Sequence, residues 1–568
     1  MPTLLLTLSE LLEKVGVTKS RLQTVALAAD FLKALEPEEV EPAVSLMIGR
    51  AFPKWSQKTL EISWAILSDI LQRVTGADWG VFGEAFRQSG DIGSATKTVY
   101  EKSKLRRQAV LFEEPLTVLE VRRTLEAIAD AEGFGSREKK ERLITVLLSQ
   151  ASPLEAKYLV KVFMGEMRTG FHEGLMEQAV AKAFALPVEL VQRASMALGD
   201  IGEVAVKAGA EGKEGLQNVE FIVFRPVKLM LAQVAENVAE ALQMHGGETA
   251  FEYKYDGARV QIHLNQGNVR VFSRRLTDVT ESLPEIVEAV KGNVKVKEAI
   301  LEGEVVAVDK AGVPIPFQHL MRRFKRVHGV AGAAEEIPLQ LHLFDLLFVE
   351  GRSMISQAYI TRRQMLSKVG GKIPLTSQII TADLATAEEF LKSAMDAGHE
   401  GLLAKRLDSP YTPGTRGKRW LKIKPILGTL DLVITAAEWG SGRRHEWLSD
   451  YYLAARDAET DEFFVVGKTF KGLTDTEIID LTKQLRTLAV SEDGNRVVVL
   501  PKIVVEVAYN EIQESPKYKS AMALRFARIV RIRDDKTAED ADTIQRVRAI
   551  YERQFAKKGR YKTQDNKQ

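Results

Sequence analysis

The stretch Phe251-Glu252-Tyr253-Lys254-Tyr255-Asp256-Gly257-Ala258-Arg259 decides how the middle of this 568-residue chain is expected to fold. Its residues alternate between charged and aromatic, which is the pattern of a β-strand with two unlike faces. Glu252, Lys254 and Asp256 then share one face, and the three rings lie on the other. A second apolar strand is predicted at 258–264. The sequence therefore predicts β-structure with a lysine held among carboxylates.

The lysine of this stretch is the strongest candidate for a reactive group. Burying a lysine is costly unless the side chain has a partner or a purpose. Burial and neighbouring cations lower the pKa of an amine, and a neutral amine is a nucleophile. We expect Arg259, Arg274 and Arg275 to supply those cations. The alternative is a lysine that is merely paired with Asp256 or Glu252 at a strand edge.

Further carboxylates and cations follow along the chain. Glu302 and Glu304 are two positions apart in a predicted strand, which suits oxygen ligation of a divalent cation, and Glu400 precedes another strand. The pairs Lys422/Lys424 and Arg531/Arg533 each share a strand face, where like charges repel unless a polyanion lies between them. Each pair taken alone also fits a solvated surface. Taken together, a nucleophilic lysine, metal carboxylates and phosphate-binding cations describe nucleotidyl transfer.

The first third of the chain, to about residue 215, is predicted to be helical. Apolar residues recur every three or four positions at 59–74, 118–132, 137–148 and 154–167. The sequence Gly-Asp-Ile-Gly occurs twice, at 90–93 and at 199–202, each time after a helical stretch. Two such turns either present backbone N–H groups to anions or are two helix C-caps of similar sequence.

The rest of the chain is predicted to form two further domains. Strands at 251–255, 258–264, 269–272, 300–308 and 339–348, with helices at 227–243 and 386–397, indicate a mixed α/β domain that ends near residue 425. Short strands at 430–437, 451–455, 463–466, 497–500 and 503–509, around one helix near 474–489, suit a small β-barrel of the OB-fold type. Residues 546–568 carry eight Lys or Arg and two Asp or Glu, as a solvated tail or a nucleic-acid contact.

Composition excludes several classes of protein. Basic residues number 79 and acidic residues 77, so any basic surface is local. The chain has no cysteine, which excludes disulfides, catalytic thiols and Cys-ligated zinc. No apolar run approaches the ~20 residues of a membrane helix, and the N-terminus lacks the pattern of a signal peptide. We therefore expect a soluble protein that acts in the cytoplasm and does not bind a membrane.

Read in order, these motifs resemble the covalent nucleotidyltransferases, and most closely the ATP-dependent DNA ligases of archaeal and eukaryotic replicative type. The resemblance extends over nearly the whole chain. It is carried by the following segments: 254–257, 273–275, 302–304, 344–345, 400–401, 420–424 and 531–536, with 168–170 and 226–232 in support. It implies a helical DNA-binding domain at 1–216, an adenylylation domain at 217–425, and an OB-fold domain with a basic C-terminal tail at 426–568.

The resemblance also implies a role for each matching residue. Lys254 is the nucleophile toward ATP, and Glu304, Glu400 and Asp256 are the candidate ligands of Mg²⁺, with Mn²⁺ as the alternative metal. The remaining nucleotide-binding residues are Glu252, Arg259, Arg274, Glu304, Phe344, Arg416, Lys422, Lys424, Arg531, Arg533 and Lys536. The residues expected at DNA are Gly90, Gly93, Arg168, Gly170, Gly199 and Gly202. The implied substrate is nicked double-stranded DNA, sealed in replication, repair and recombination by a monomer, with a sliding clamp as a candidate partner.

Other members of the wider superfamily are the rival interpretations. An RNA ligase or an mRNA guanylyltransferase resembles the central region but lacks the 215 helical residues that precede it here. An NAD-dependent ligase usually carries Cys-ligated zinc, which this chain cannot build. A non-catalytic DNA-binding clamp is expected to have lost Lys254 or Glu400, and both are present.

Overall fold

The fold is that of a computed structural model, which describes residues 2–103, 115–324, 336–424 and 428–555. Within this part of the chain, twelve helices precede the first strand and confirm the predicted helical region. They are α1 Leu5–Val17, α2 Arg21–Lys33, α3 Pro37–Met47, α4 Trp64–Thr75, α5 Trp79–Ser89, α6 Ile92–Lys102, α7 Val118–Ala129, α8 Ser136–Gln150, α9 Pro153–Met164, α10 Glu173–Ala183, α11 Val188–Leu198 and α12 Ile201–Gln217.

Local sequence explains where these helices begin and what they bury. Ser63 caps α4 by accepting a hydrogen bond from the N–H of Ile66, so this helix begins five residues later than its periodicity predicts. In α1, leucines and a valine at helical spacing are buried in one continuous core with the apolar stripes of the other helices. The domain is thus held together by amphipathic helices that are stable only when packed against one another.

The repeated Gly-Asp-Ile-Gly sequence forms two helix-to-helix turns with the same local structure. Gly90 and Gly199 end α5 and α11 in the left-handed region, with φ of 61° and 73°, where glycine is favoured. The next residue, Asp91 or Asp200, caps the following helix. Of the two interpretations of this repeat, helix C-caps are therefore confirmed, and anion binding by the turns stays a prediction.

The central domain consists of two five-stranded sheets and confirms the predicted α/β class. Their strand orders are β1-β10-β9-β2-β8 and β4-β3-β5-β6-β7. The strands are β1 Leu231–Ala235, β2 Thr249–Lys254, β3 Ala258–Asn265, β4 Asn268–Ser273, β5 Glu298–Ala307, β6 Leu339–Val349, β7 Arg352–Ser353, β8 Gln378–Thr381, β9 Gly401–Arg406 and β10 Arg416–Ile423. The helices are Val238–His245, Pro284–Asn293, Phe317–Phe324, Tyr359–Val369 and Leu384–Asp396.

One predicted helix of this domain is wrong. The segment 227–243 contains strand β1, and a helix begins only at Val238. Strand β1 pairs in parallel with β10, which lies about 190 residues further along the chain, from Leu231 opposite Arg416 to Ala235 opposite Ile423. A ladder with so distant a partner overrides local helix preference, and periodicity within the segment contains no sign of it.

The chain passes from one sheet to the other directly after Lys254. Strand β2 belongs to the first sheet and β3 to the second, so residues 255–257 cross between them. A Cβ atom on Gly257 would lie 2.4 Å from the carbonyl oxygen of Val305 and 2.9 Å from Cγ of Glu304. Only glycine fits this crossing, which brings the end of β2 against the carboxylate-bearing strand β5.

The C-terminal domain is rich in strands and contains the predicted helix. Strand β11 pairs with β12, β15 and β16, and the other ladders are β12–β13, β14–β15, β16–β19 and β17–β18. The strands are β11 Leu430–Trp439, β12 Leu448–Arg456, β13 Phe463–Thr469, β14 Ala489–Asp493, β15 Arg496–Val499, β16 Val504–Ala508, β17 Glu511–Glu514, β18 Met522–Arg525 and β19 Arg528–Ile532. Helices span Asp475–Thr487 and Ile544–Phe555.

The strand pairing of this domain differs from that of the predicted β-barrel in one respect. Among residues 428–555, the hydrogen-bonded strands form an open seven-stranded sheet and a separate hairpin, without a closed ring of ladders. The hairpin lies beside strand β13. A Cβ atom built on Gly467 of β13 would lie 3.4 Å from Cβ of Leu524 in the hairpin. The boundary expected near residue 425 and the basic tail beyond residue 555 lie outside the described residues. No described helix is long and apolar enough to span a membrane.

Candidate active site

Lys254, Glu400 and Lys424 meet at the edge of the first sheet of the central domain. They come from neighbouring strands, because β2 pairs with β9 and β9 pairs with β10. Lys254 Nζ donates a hydrogen bond to Glu400 Oε2, and Lys424 Nζ lies 2.5 Å from the same oxygen. The Lys254 side chain is 23% exposed, so the amine lies in a pocket and not in bulk solvent.

The charges around Lys254 differ from those expected from the sequence. Burial lowers the pKa of Lys254, but the carboxylates of Glu400 and Glu304 outweigh burial, and the pKa lies above its ordinary value. The expectation that burial and neighbouring cations give Lys254 a lowered pKa is therefore wrong. Burial likewise raises the pKa of Glu400, but Lys254 and Lys424 outweigh it and hold that pKa well below its usual range.

Glu304 is a carboxylate of this pocket for which the described residues provide no direct partner. It lies on β5, where no hydrogen bond or ion pair within 4 Å reaches it from the described residues. Burial raises the pKa of Glu304 to about 7, against the attraction of Lys254 and Arg259. Glu400 and Asp256 raise this pKa further. An uncompensated carboxylate beside two others fits the role of Mg²⁺ ligand that is expected of Glu304.

The described residues alone do not complete a metal site. No group of three or more His, Asp or Glu side chains in the described ranges is arranged to hold a metal ion. Mg²⁺ usually takes one or two carboxylates and completes its shell with water and substrate phosphates. Glu304 lies near Glu400 and Asp256, whose charges both raise its pKa. The binding of Mg²⁺ by these three predicted ligands stays a prediction.

The pair of carboxylates predicted on strand β5 is divided by the structure. Glu302 is fully buried and forms an ion pair of 2.7 Å with Arg259 Nη2, while Tyr411 donates a hydrogen bond of 2.9 Å to its other oxygen. Arg259 also donates to the carbonyl oxygen of Met230 at 2.7 Å. Glu302 is therefore committed to holding Arg259, which leaves Glu304 as the only one of the two beside Lys254.

Glu252 and Phe344, two of the predicted nucleotide-binding residues, both contact Lys405. Glu252 is fully buried, and Lys405 Nζ lies 2.7 Å from its Oε2 atom, while Tyr359 donates a hydrogen bond to its Oε1 atom. The Lys405 ammonium also lies over the ring of Phe344, 4.7 Å from the ring centroid. Phe344 is 5% exposed and packs edge-on against Trp420.

Lys405 was missed by the sequence analysis, although it connects two predicted site residues. It is fully buried on strand β9, and burial lowers its pKa against the opposing attraction of Glu252. The available signal was a lysine inside the apolar strand that follows Glu400, where a charge is costly without a partner. The partner, Glu252, is about 150 residues away in sequence, so the local sequence pattern did not predict this ion pair.

Three cations beside Lys254 have no carboxylate partner. Burial lowers the pKa of Lys422, and Arg416, Lys424, Lys254 and Arg274 lower it further, which places these five positive groups in one neighbourhood. Arg274 and Arg416 are exposed. Among the described residues, Arg274, Arg416 and Lys422 form no ion pair within 4 Å. Unpaired cations in such a group attract a polyanion such as a triphosphate or a DNA backbone.

The C-terminal cations are paired with carboxylates of their own domain. Arg531 is paired with Glu506 at 2.7 Å, and Arg533 and Lys536 are paired with Asp431 at 3.0 and 2.7 Å. Both acidic partners belong to the C-terminal domain itself. Nucleotide binding by these three residues would require the exchange of these ion pairs, and their nucleotide contacts stay a prediction.

The residues predicted at DNA are used mainly in packing and domain contacts. The N–H of Gly442 in the C-terminal domain donates to the carbonyl oxygen of Gly90 at 3.0 Å, and Arg168 Nη1 donates to the same oxygen at 3.1 Å. Gly93 and Gly202 lie where a Cβ would meet side-chain atoms of neighbouring helices at 2.5 and 2.9 Å.

The remaining predicted DNA residues lie elsewhere on the helical domain. Gly199 is close to the linker, which is the segment 218–230 between helix α12 and strand β1. A Cβ atom built on Gly199 would lie 3.5 Å from the carbonyl oxygen of Pro226. Gly170 has φ of 73° in an exposed turn and, like Arg168, is accessible to solvent. The structure thus leaves Arg168 and Gly170 available at the surface.

Comparison with known proteins gives consistent matches over nearly the whole chain. Three protein-family models match: one described as "ATP dependent DNA ligase domain" at residues 229–424, one as "DNA ligase N terminus" at 5–181, and one as "ATP dependent DNA ligase C terminal region" at 444–536. The chain is 46% identical to DNA ligase 1 of Korarchaeum cryptofilum (strain OPF8) over 558 residues, which cover 98% of this chain and 99% of that protein.

Two further comparisons agree with these matches. The DNA ligase of Thermococcus onnurineus (strain NA1) is 43% identical over 548 residues, covering 96% of this chain and 97% of that protein. A solved structure titled "Pmar-Lig_PreS3" has the same fold, with a TM-score of 0.60, 17% sequence identity, and coverage of 93% of this chain and 99% of that one.

The chain has the domain order of the multidomain ATP-dependent ligases, and this defines its class. A helical domain comes first, then a two-sheet domain with a lysine–carboxylate pocket, and then a strand-rich domain. Within that class the chain belongs to the ATP-dependent DNA ligase family, in its archaeal type. Its reaction is the ATP-dependent sealing of nicks in DNA.

Proposed function

We propose that Lys254 is the residue through which this ligase transfers adenylate. The ammonium group of Lys254 first loses a proton, and the resulting neutral amine attacks the α-phosphorus of ATP. A P–N bond forms, the bond from that phosphorus to the bridging oxygen breaks, and pyrophosphate leaves. AMP then passes to the 5′-phosphate at the nick, and the 3′-hydroxyl displaces it. A covalent intermediate divides one difficult reaction into easier steps. The supporting observation is a partly exposed lysine between carboxylates and unpaired cations.

The carboxylates beside Lys254 are proposed to hold a divalent cation during catalysis. Glu304, which lacks a direct partner, and Glu400 are the main candidates, with Asp256 nearby; the donor set suits Mg²⁺ and also Mn²⁺. Such a cation would withdraw charge from phosphate oxygens and would offset the charge of the carboxylates. Because these carboxylates raise the pKa of Lys254, offsetting their charge favours loss of the proton that the attack requires.

The remaining pocket residues are assigned to the parts of ATP by their positions. Glu252 and Phe344, joined by Lys405, form the floor on the base side. Arg259 is proposed on the sugar side, fixed by Glu302. Arg274, Arg416, Lys422 and Lys424 are proposed at the phosphates.

The C-terminal domain is proposed to act by moving. Arg531, Arg533 and Lys536 reach the pyrophosphate only if their ion pairs with Glu506 and Asp431 are exchanged for phosphate oxygens. Domain closure of this kind completes a catalytic site only while substrate is bound.

The helical domain is proposed to bind nicked double-stranded DNA, with the chain divided at 1–216, 217–425 and 426–568. We further propose a monomer that acts in the cytoplasm on the nucleoid, with a sliding clamp as a candidate partner. Relatives named DNA ligase support DNA as the substrate. A fragment from about residue 216 onward should still form the adenylate but seal nicks poorly, because phosphate contacts are lost. Unchanged nick affinity and salt dependence in the fragment would contradict this assignment.

Self-adenylylation tests the central assignment. The protein is incubated with α-labelled ATP and a divalent cation, and the label retained on a denaturing gel is measured; parallel reactions with GTP and NAD test the nucleotide. Lys254→Ala should retain no acid-labile label, and Lys254→Arg should also fail because a guanidinium stays protonated. Lys291→Ala, at an exposed lysine paired with Glu288, is the matched control and should label normally. Persistent labelling of Lys254→Ala would refute the proposal.

A further inference from the structure

Gln57 of the helical domain is hydrogen-bonded to the backbone of the central domain. It follows the short 3₁₀ turn Lys54–Ser56, and its Nε2 atom donates to the carbonyl oxygen of Leu276 at 2.9 Å. Its Oε1 atom accepts from the N–H of Asp278 at 2.8 Å. A primary amide has both a donor and an acceptor, so it can satisfy two backbone groups at once. Neither a carboxylate nor an ammonium group can do both.

The backbone held by Gln57 is the turn that carries Arg274 and Arg275. Within it, the N–H of Leu276 donates to the carbonyl oxygen of Ser273, and the N–H of Ser273 donates to that of Thr277, both at 2.8 Å. Leu276 adopts φ of 65° and is 8% exposed, while the two arginines are exposed at the tip. The turn is therefore anchored on the side of Leu276 and Asp278 and open on the side of the arginines.

The anchoring segment of the helical domain is itself fixed in place. The guanidinium of Arg225 lies over the ring of Trp55, 4.1 Å from the centroid, and is paired with Glu203 of helix α12 at 2.5 Å. Gln57 is thus presented to the central domain from a segment held by the linker and by α12. A side chain presented in this way can orient its partner instead of following it.

Arg274 belongs to the cation group beside Lys254. Its charge is among those that lower the pKa of Lys422, together with Arg416 and Lys424. Under the proposed function this group binds the phosphates that react. An exposed arginine has many rotamers, so the position of its guanidinium group depends on how firmly the backbone of the turn is held.

We propose that Gln57 is a positioning residue, through which the helical domain sets the Arg274 turn for adenylate transfer to the nick. The inference rests on the proposed role of Arg274 at phosphate. The helical domain then has two tasks: it binds DNA, and it shapes the active site of the neighbouring domain.

A double-mutant cycle on the full-length protein tests this proposal. Wild type, Gln57→Ala, Arg274→Ala and the double variant are first adenylylated, and single-turnover transfer of AMP to a nicked duplex is then timed over a range of duplex concentrations. Gln57→Ala should lower the limiting rate about tenfold, as for the loss of oriented hydrogen bonds, with little change in the concentration that gives half-maximal rate. In the Arg274→Ala background, Gln57→Ala should have no further effect.

Two variants separate positioning from a general structural effect. Gln57→Glu keeps the acceptor for Asp278 but loses the donor for Leu276, so its rate should lie between those of wild type and Gln57→Ala. Gln88→Ala removes an exposed amide that is bonded to Glu84 within helix α5, and it should behave as wild type. Thermal unfolding of all variants shows whether each is folded.

The contrary outcomes are distinct. If the effects of Gln57→Ala and Arg274→Ala multiply in the double variant, Gln57 does not act through Arg274 and the proposal is overturned. It is equally overturned if Gln57→Ala transfers AMP at the wild-type rate, or if Arg274→Ala has no effect. None of these results bears on Lys254, whose assignment fails only if Lys254→Ala still forms the labelled adduct.

Discussion

The turns at 90–93 and 199–202 have the same four residues and the same backbone conformation. Their surroundings, however, shift the pKa of the aspartate in opposite directions. Asp91 is paired with Lys161 at 2.9 Å; burial raises the pKa of Asp91, but Lys161 and Ser94 outweigh it, and the pKa is lowered. Asp200 is 1% exposed, and burial raises its pKa to about 6 despite the hydrogen bond from the N–H of Glu203. One sequence thus gives one capping geometry and two electrostatic outcomes.

The two turns also adjoin different domains. The carbonyl oxygen of Gly90 accepts from Gly442 of the C-terminal domain. Beside the second turn, Glu203 is paired with Arg225 of the linker to the central domain. The comparison teaches that a local motif specifies the shape of a turn, whereas the charge and the partner of that turn depend on what packs against it.

The largest effect is expected from replacing the acid of the first turn. Asp91→Asn should lower the free energy of unfolding by about 3 kcal/mol, because Lys161, with a side chain 5% exposed, keeps its charge and loses its counter-ion. Urea unfolding, with hydrogen exchange at helices α6 and α9, measures this loss. Asp383→Asn is the matched control, since Asp383 is an exposed N-cap without an ion pair among the described residues. Equal effects in both variants would contradict the comparison.

The same replacement in the second turn should have the opposite sign. The pKa of Asp200 is about 6 when folded and about 3.8 when unfolded, so its stabilising contribution is complete below pH 3.8 and is lost as the pH rises through 6. Asn keeps the capping acceptor and carries no charge. Asp200→Asn should therefore be close to wild type at pH 4 and more stable by about 2 kcal/mol at pH 8. A melting-temperature difference that does not change with pH would count against this account.

Alanine at the first glycine of each turn should separate strain from domain contact. Both variants force a left-handed residue, at about 1 kcal/mol each. A Cβ on Gly90 would additionally lie 2.8 Å from Cβ of His445 and 2.9 Å from the backbone nitrogen of Gly442, whereas Gly199 has nothing closer than 3.5 Å. Small-angle scattering of the free protein should show a larger radius of gyration for Gly90→Ala only. An unchanged radius would mean that the contact with Gly442 does not hold the two domains together.

The smallest effect is expected at Arg168, which lies beside the first turn. If Arg168 exchanges its contacts with Gly90 and Glu166 for one DNA phosphate, Arg168→Ala removes a single counter-ion release. The slope of log affinity for a nicked duplex against log salt should then fall in magnitude by about 1. Arg137→Ala, at an exposed arginine paired with Glu141, serves as the comparison and should leave the slope unchanged. The assignment fails if the two variants have the same slope.

Several elements of the fold and the pocket were predictable from sequence because they depend on near neighbours. The alternation around Lys254 gave strand β2 and the common face of its charges, and the helical periodicity of the first third was confirmed. Recognition of the family followed from motifs in a fixed order. The roles of Lys254, Glu304 and Lys422 within the pocket stay predictions, and the labelling experiment addresses that of Lys254.

Other features were not predictable, and each involves a distant partner. Strand β1 was predicted as helix because its ladder partner β10 is far away in sequence. The pKa of Lys254 was predicted to fall, but Glu400, which is brought beside it across strands β2 and β9, raises it. Lys405 was not proposed for the site because only the folded sheet brings it to Glu252.

Sequence by itself determined the helix caps, the strand faces and the order of the chemical groups, since capping and alternation act over at most a few residues. Tertiary structure alone decided which acid meets which base, whether Asp91 and Asp200 hold a stable charge, and which domain adjoins each turn. The physical reason is that burial and Coulomb interactions depend on distance in space. Residues that are close in space can be more than a hundred positions apart in the chain.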